Sequence, residues 1–151
     1  MTVSLAALSH RTGLAVLDHL ERQAAVPVLD GLQAQGDLLV VPAPTVAVAV
    51  TVHGWARWHE VPATGLELLR GAAGGNPHAL VADPGACEWT AEVRDSLGLA
   101  LGVFRNTAPA YLLHPEHGAT GFTPGTYVVR RQRELGHHAR FPGGGQRLVA
   151  D

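Results

Sequence analysis

Lysine is missing from this chain: all eleven basic side chains are arginine. That excludes a lysine Schiff base, a P-loop lysine and a lysine general base. Cysteine occurs once, at Cys87, so neither an internal disulfide nor a thiolate cluster for zinc or iron and sulfur is available. A reducing, cytoplasmic compartment is the expectation. No apolar segment approaches the roughly 20 residues of a membrane helix, and Met1 to Ala7 lacks a basic leader. The protein is therefore expected to be soluble and unsecreted, with no membrane partner. Serine is confined to Ser4, Ser9 and Ser96, none of them in a Gly-x-Ser-x-Gly elbow. Cys87 has Glu88 and Trp89 beside it and no nearby histidine, which is the setting of a buried, inert thiol.

What is present is length, apolar content, glycine, proline and histidine. A chain of 151 residues is long enough to bury a core without metal or disulfide. Hydrophobic residues at 46% against 16% charged argue for a compact globular chain rather than a disordered one. The net charge of −2 provides no field to hold nucleic acid or an acidic membrane. Nine histidines would reverse the sign below about pH 6.

The 18 Gly and 10 Pro fall between short Val, Leu and Ala runs, which is the pattern of many turns and short strands. Leu14, Leu17 and Leu20 with Val16 and Ala24 predict one helix from His10 to Ala25, capped by Ser9 and ended by Pro27. Strands are expected at Asp37 to Val41, Val46 to Val52, Leu66 to Arg70, His78 to Ala82, Leu99 to Phe104, Ala110 to His114 and Thr126 to Arg133. The fold class is mainly β, a small β-barrel or sandwich with one N-terminal helix. The expected division is an N-terminal helix and linker over 1–35, a β-rich core over 36–134 and a tail or docking arm over 135–151.

His114-Pro115-Glu116-His117 places two imidazoles and a carboxylate within four residues. The residue before a proline is held extended, so His114 should close its strand, with Glu116 and His117 in the loop. Ala110, Leu112 and His114 should share one face. His78 is the natural third imidazole, after the Gly74-Gly75-Asn76-Pro77 turn. His78, His114 and His117 with Glu116 would suit a divalent transition metal such as zinc, with Glu116 as the catalytic base of a hydrolase. The plain alternative is loop histidines bonded to carbonyls or to Glu116.

Arg130, Arg131 and Arg133 near a strand end would clamp an anion or contact a partner. The plain alternative pairs arginine with Glu134 or Asp37. Trp55 and Trp58, with Arg57 and His59, are either interface anchors or a hydrophobic cover.

With Gln35-Gly36-Asp37, Gly75-Asn76-Pro77-His78, His114-Pro115-Glu116-His117, Pro124-Gly125-Thr126-Tyr127 and Arg131-Gln132-Arg133-Glu134, the chain resembles a group of small bacterial hypothetical proteins. These share a His-x-Glu-His loop and a closing Arg-Gln-Arg-Glu strand, and the likeness spans residues ~35 to 134. It implies that these elements form one unit, and it implies no activity. Cupins are similar in a Pro-Gly framing such as Pro124-Gly125, but their His-x-His element is absent.

Three functions are weighed. The first is a non-catalytic β-rich assembly or interaction module, a homo-oligomer or one bound to a protein partner. The second is a metal-dependent hydrolase using the His and Glu site. The third is an Arg-mediated nucleic-acid binder, against which the acidic balance argues.

Overall fold

A computed structural model describes residues 3–14, 25–70, 77–135 and 146–148. The chain is mainly β, with one α-helix among the described residues. In order these are α1 Leu5–Thr12, β1 Val28–Leu29, β2 Gln33–Gln35, β3 Leu38–Pro42, a 3-10 helix Ala43–Val46, β4 Val50–Val52, β5 His59–Glu60, β6 Leu66–Arg70 and β7 Pro77–Ala82. There follow β8 Cys87–Thr90, β9 Val93–Asp95, β10 Ala100–Asn106, β11 Ala110–His114, β12 Gly118–Phe122, β13 Gly125–Arg131, β14 Arg133–Leu135 and β15 Gln146–Leu148.

One sheet has the order β1-β12-β11-β7-β6 and a second β2-β3-β13-β10-β8-β5, while β4 pairs with β9 and β14 with β15. The sheets begin before residue 36, since β1 lies parallel to β12 and β2 antiparallel to β3. No described helix is long and apolar enough to cross a membrane.

The central strands β7 and β11 of the first sheet are buried on both faces, which is why they read as continuous apolar runs rather than alternating ones. In β7 and β11, Leu80, Ala82, Ala110 and Leu112 join a core cluster with Leu38, Val40, Phe104, Tyr127 and Val129 of the other sheet. The odd-numbered neighbours Val81, Tyr111 and Leu113 pack with Leu5 and Leu8 of α1 and with Val26. On the six-stranded sheet, Val103 and Val128 pack instead with Val50, Ala43, Val46, Val93 and Trp58. Strand alternation thus divides the apolar side chains of each sheet between two clusters.

Several expectations need correction. The helix is capped by Ser4, whose hydroxyl accepts from the Ala7 amide, and not by Ser9. It ends at Gly13, which adopts φ 71 and donates its N–H to the Ser9 carbonyl. Gly13 is a C-cap, where a left-handed conformation favours glycine, and so closes a helix instead of lying inside the one expected from His10 to Ala25. Residues 15–24 of the expected helix lie outside the described residues. The Val46 to Val52 strand is reduced to β4, because Pro44 stands in the first turn of the 3-10 helix, where its fixed φ is pre-organised. Val48 is fully exposed there. β12, Gly118–Phe122, is a further strand between those expected at Ala110 to His114 and Thr126 to Arg133. The strand expected over Thr126 to Arg133 breaks at Gln132, whose side-chain Nε2 donates to the carbonyls of Gly36 and Leu38.

Gly102 lies where the β10–β13 register shifts. A Cβ there would meet the Thr90 carbonyl oxygen and the Trp89 ring, each at 2.4 Å. Backbone cannot yield as a flexible side chain does, so Gly102→Ala is expected to cost about 1–3 kcal/mol, the range for an overpacked core. Thermal or urea unfolding checks this; an unchanged midpoint would show that β8 and β10 are not in such close contact.

Candidate functional site

β11 ends at His114 as expected, and its hairpin partner β12 opens at Gly118, with His114 opposite Gly118. The three-residue loop between them carries Pro115, Glu116 and His117, and Gly118 takes φ 79, the glycine position such a loop requires. The His114 Nδ1 accepts hydrogen bonds from the amides of Glu116 at 3.1 Å and His117 at 3.3 Å. An Nδ1 that accepts leaves the proton of a neutral ring on Nε2. His114 therefore shapes its own turn.

β7 runs antiparallel to β11 and brings in His78, 36 residues earlier. The His78 and His114 ring centroids are 4.4 Å apart, and those of His114 and His117 4.5 Å apart. The three imidazoles do converge. His78 and His114 are each 1% exposed, whereas Glu116 and His117 are exposed in the loop.

The second sheet supplies polar partners. His78 Nε2 lies 2.8 Å from Asp37 Oδ1, and Nδ1 lies 3.0 Å from Gln35 Oε1. Gln35 is oriented by its amide nitrogen, which donates to the Leu112 carbonyl and to the Thr120 hydroxyl, both at 2.9 Å. Its oxygen must then face His78. Both nitrogens of the buried His78 ring face acceptors, so Nδ1 carries a proton and Nε2 shares one with Asp37. Gln35 and Asp37 are 5% and 4% exposed. The network ties β2 and the start of β3 to β7, β11 and β12, that is, one sheet to the other.

This arrangement bears on the expected metal centre. Among the described residues no group of three or more His, Cys, Asp or Glu is placed to hold a metal ion. The residues His78, His114, Glu116 and His117 are neighbours, but neither buried ring turns a lone pair outward to an ion, which a ligand must do. Gln35 and Asp37 were missed as partners of His78, although Gln35-Gly36-Asp37 is one of the elements that carry the resemblance; Asp37 lies 41 positions before His78, and pairing across sheets leaves no local signal.

The arginines separate. Arg130 is not an open clamp: its Nε and one terminal nitrogen grip the two carboxylate oxygens of Asp95 at 3.0 and 2.8 Å, with the side chains 11% and 3% exposed. Its partner is thus Asp95, neither Glu134 nor Asp37. Asp95 also accepts from the amides of Leu97, Leu99 and Ala100. Burial pushes its carboxyl upward, but the bonds from Arg130, the amides and the guanidinium charge outweigh this, and the net shift is below the ordinary 3.8. Arg131 is half-buried in β13, and the side chain of Arg133 lies outside the described residues.

The tryptophans also divide. Trp58 covers the Val50, Val103 and Val128 cluster and lies 3.8 Å beneath the guanidinium of Arg105. Trp55 is 68% exposed, with His53 stacked on it at 4.7 Å. Cys87 is buried, and burial, followed by the charge of Glu88, pushes its thiol up to about 12, which leaves no thiolate for chemistry.

An open cavity of about 570 Å³ is lined by residues of β5, β8, β10 and β13, among them Glu60, Cys87, Glu88, Arg105 and Thr126. The register pairs Tyr127 with Pro42 and Arg131 with Leu38. The cavity therefore lies at the Gly125 end of β13, and Asp37 with the histidines beyond the other end.

A family model described as Domain of unknown function (DUF8820) matches residues 34–132. That span covers more than half of the chain, from β2 through the Gln132 break, and the chain belongs to this family. No curated protein and no solved structure matches it.

Proposed function

We propose that this member of the family is a non-catalytic β-rich module of a bacterial, cytoplasmic assembly, and that it works by associating with a second copy of itself. We also take its two large sheets to pack face to face as a sandwich, a reading supported by the core cluster that draws on both.

The observation that carries the functional reading is where the polar and apolar groups lie. His78 is bonded to Asp37 and Gln35 in the interior and His114 is buried beside it, while large apolar side chains stand in solvent along the β4–β9 ribbon. Val48 and Leu97, the latter 50% exposed, flank one end, where the Ser96 amide donates to the Ala49 carbonyl. Val52 and Trp55 flank the other. Interfaces select exposed aromatic anchors of this kind. A two-stranded ribbon also has an unpaired edge on each strand, and pairing such an edge with its own copy satisfies the two-fold rule of an isologous dimer.

The test is sedimentation velocity from about 1 to 100 μM, the range in which interfaces of standard size assemble. Wild-type protein is expected to shift from monomer to dimer, and Trp55→Ser to weaken the dimer by about tenfold or more, as expected of an anchor residue. Wild-type protein that stays monomeric throughout would sink the proposal. Nucleic-acid binding is less well supported, because the burial of Arg130 against Asp95 removes one of its three arginines.

A further inference from the structure

We infer that the cavity at the Gly125 end of β13 binds a small zwitterion, an amino-acid-like molecule with an ammonium group and a carboxylate. Its volume of about 570 Å³ is within the roughly 300–1,000 Å³ usual for small-molecule sites.

Strand register builds the recognition row. Thr126 is opposite Arg105, Arg105 opposite Glu88, and Glu88 opposite Glu60. Directly opposed residues of antiparallel strands share a face, so these four form one line across β13, β10, β8 and β5. All four are exposed, and all four line the cavity.

The line is polar from end to end. Its β13 side offers donors, the Thr126 hydroxyl and the Arg105 guanidinium, and its β5 side two carboxylates. Arg105 is held in place by its Nε bond to Glu88 at 2.7 Å and by the Trp58 ring beneath it. Its terminal nitrogens have no hydrogen bond among the described residues and remain to bind a carboxylate. Glu60 and Glu88 face each other as like charges, which is unfavourable across a strand pair. Among the described residues Arg105 pairs with Glu88, and the Glu60 carboxylate accepts the Gly85 amide. An ammonium between the two carboxylates relieves that repulsion while the ligand's own carboxylate meets Arg105 and Thr126. The Arg105 and Glu88 side chains are about half exposed, so binding should be weak and salt-sensitive.

The test is a nuclear magnetic resonance titration of the full chain with a mixture of the twenty free L-amino acids at about 5 mM each, a level that reveals millimolar affinity. The amides of Gly125, Thr126 and Ala86 and the Arg105 Nε–H should shift. The amino acid responsible should bind about tenfold more weakly to Arg105→Gln and to Glu60→Gln, the scale of one charge-assisted contact. Thr126→Val, which keeps every charge, should weaken it less. No shift with the mixture, binding equal in the two charge variants and wild type, or acetate alone reproducing the shifts would each overturn the inference.

Discussion

Asp95→Ala is expected to destabilise the fold by about 3–5 kcal/mol, the cost of removing one partner from a buried ion pair. Arg130 would keep its charge with its side chain only 11% exposed and no carboxylate against it. The same substitution frees the amides of Leu97, Leu99 and Ala100, which close the turn between β9 and β10. Urea unfolding measures the loss; a change below about 1 kcal/mol would place the pair in the class of solvated surface bridges.

The sign of the pH dependence follows. Asp95 titrates below its ordinary 3.8 in the folded protein. Its contribution is therefore complete above the unfolded value and is lost as pH falls through the lower, folded one. Wild-type protein should lose this stability only in strong acid, and the Asp95→Ala variant should show a shallower acid limb.

Asp37→Ala is the second large effect, again about 3–5 kcal/mol, because His78 is 1% exposed and shares a proton with the carboxylate that is removed. Replacing both members, Asp37→Leu with His78→Phe, should recover much of the loss, since an apolar pair of similar volume is often neutral in such a site. A cycle of the two single variants and the double variant, read by urea unfolding, should give a coupling of about 0.5–3 kcal/mol. Additive effects would mean that Asp37 and His78 stabilise the protein independently.

Apolar runs bounded by turn residues made several strands legible in the sequence. Ala110 to His114 is a strand with the expected bounds, and Leu66 to Arg70 likewise, because apolar runs between Gly, Pro and Asn turns leave little else for them to form. Cys87–Thr90 and Gly118–Phe122 were hidden: the first carries Glu88 on its exposed face, and the second has glycine at both 118 and 121. Gly121 is there because a Cβ would lie 2.6 Å from the Pro27 carbonyl oxygen as β1 passes alongside. That constraint comes from packing and has no sequence pattern.

The candidate site was legible as a set of residues but not as chemistry. His114-Pro115-Glu116-His117 correctly reads as a strand end and loop. What makes His78 a fastening between sheets is Asp37 and Gln35, far away in sequence. Arg130 tells the same story, because Asp95 is 35 residues upstream and on a strand outside the large sheets.

The most direct test of whether His78 fastens one sheet to the other while His114 shapes its own turn, rather than the two holding a metal, is a long-range proton–nitrogen spectrum of the imidazoles before and after one equivalent of zinc. The expected result is a protonated Nδ1 on His78, an unprotonated, hydrogen-bonded Nδ1 on His114, and no movement of either ring when zinc is added. A shift of His78 or His114 nitrogens to metal-bound positions would contradict it and make these residues a metal centre.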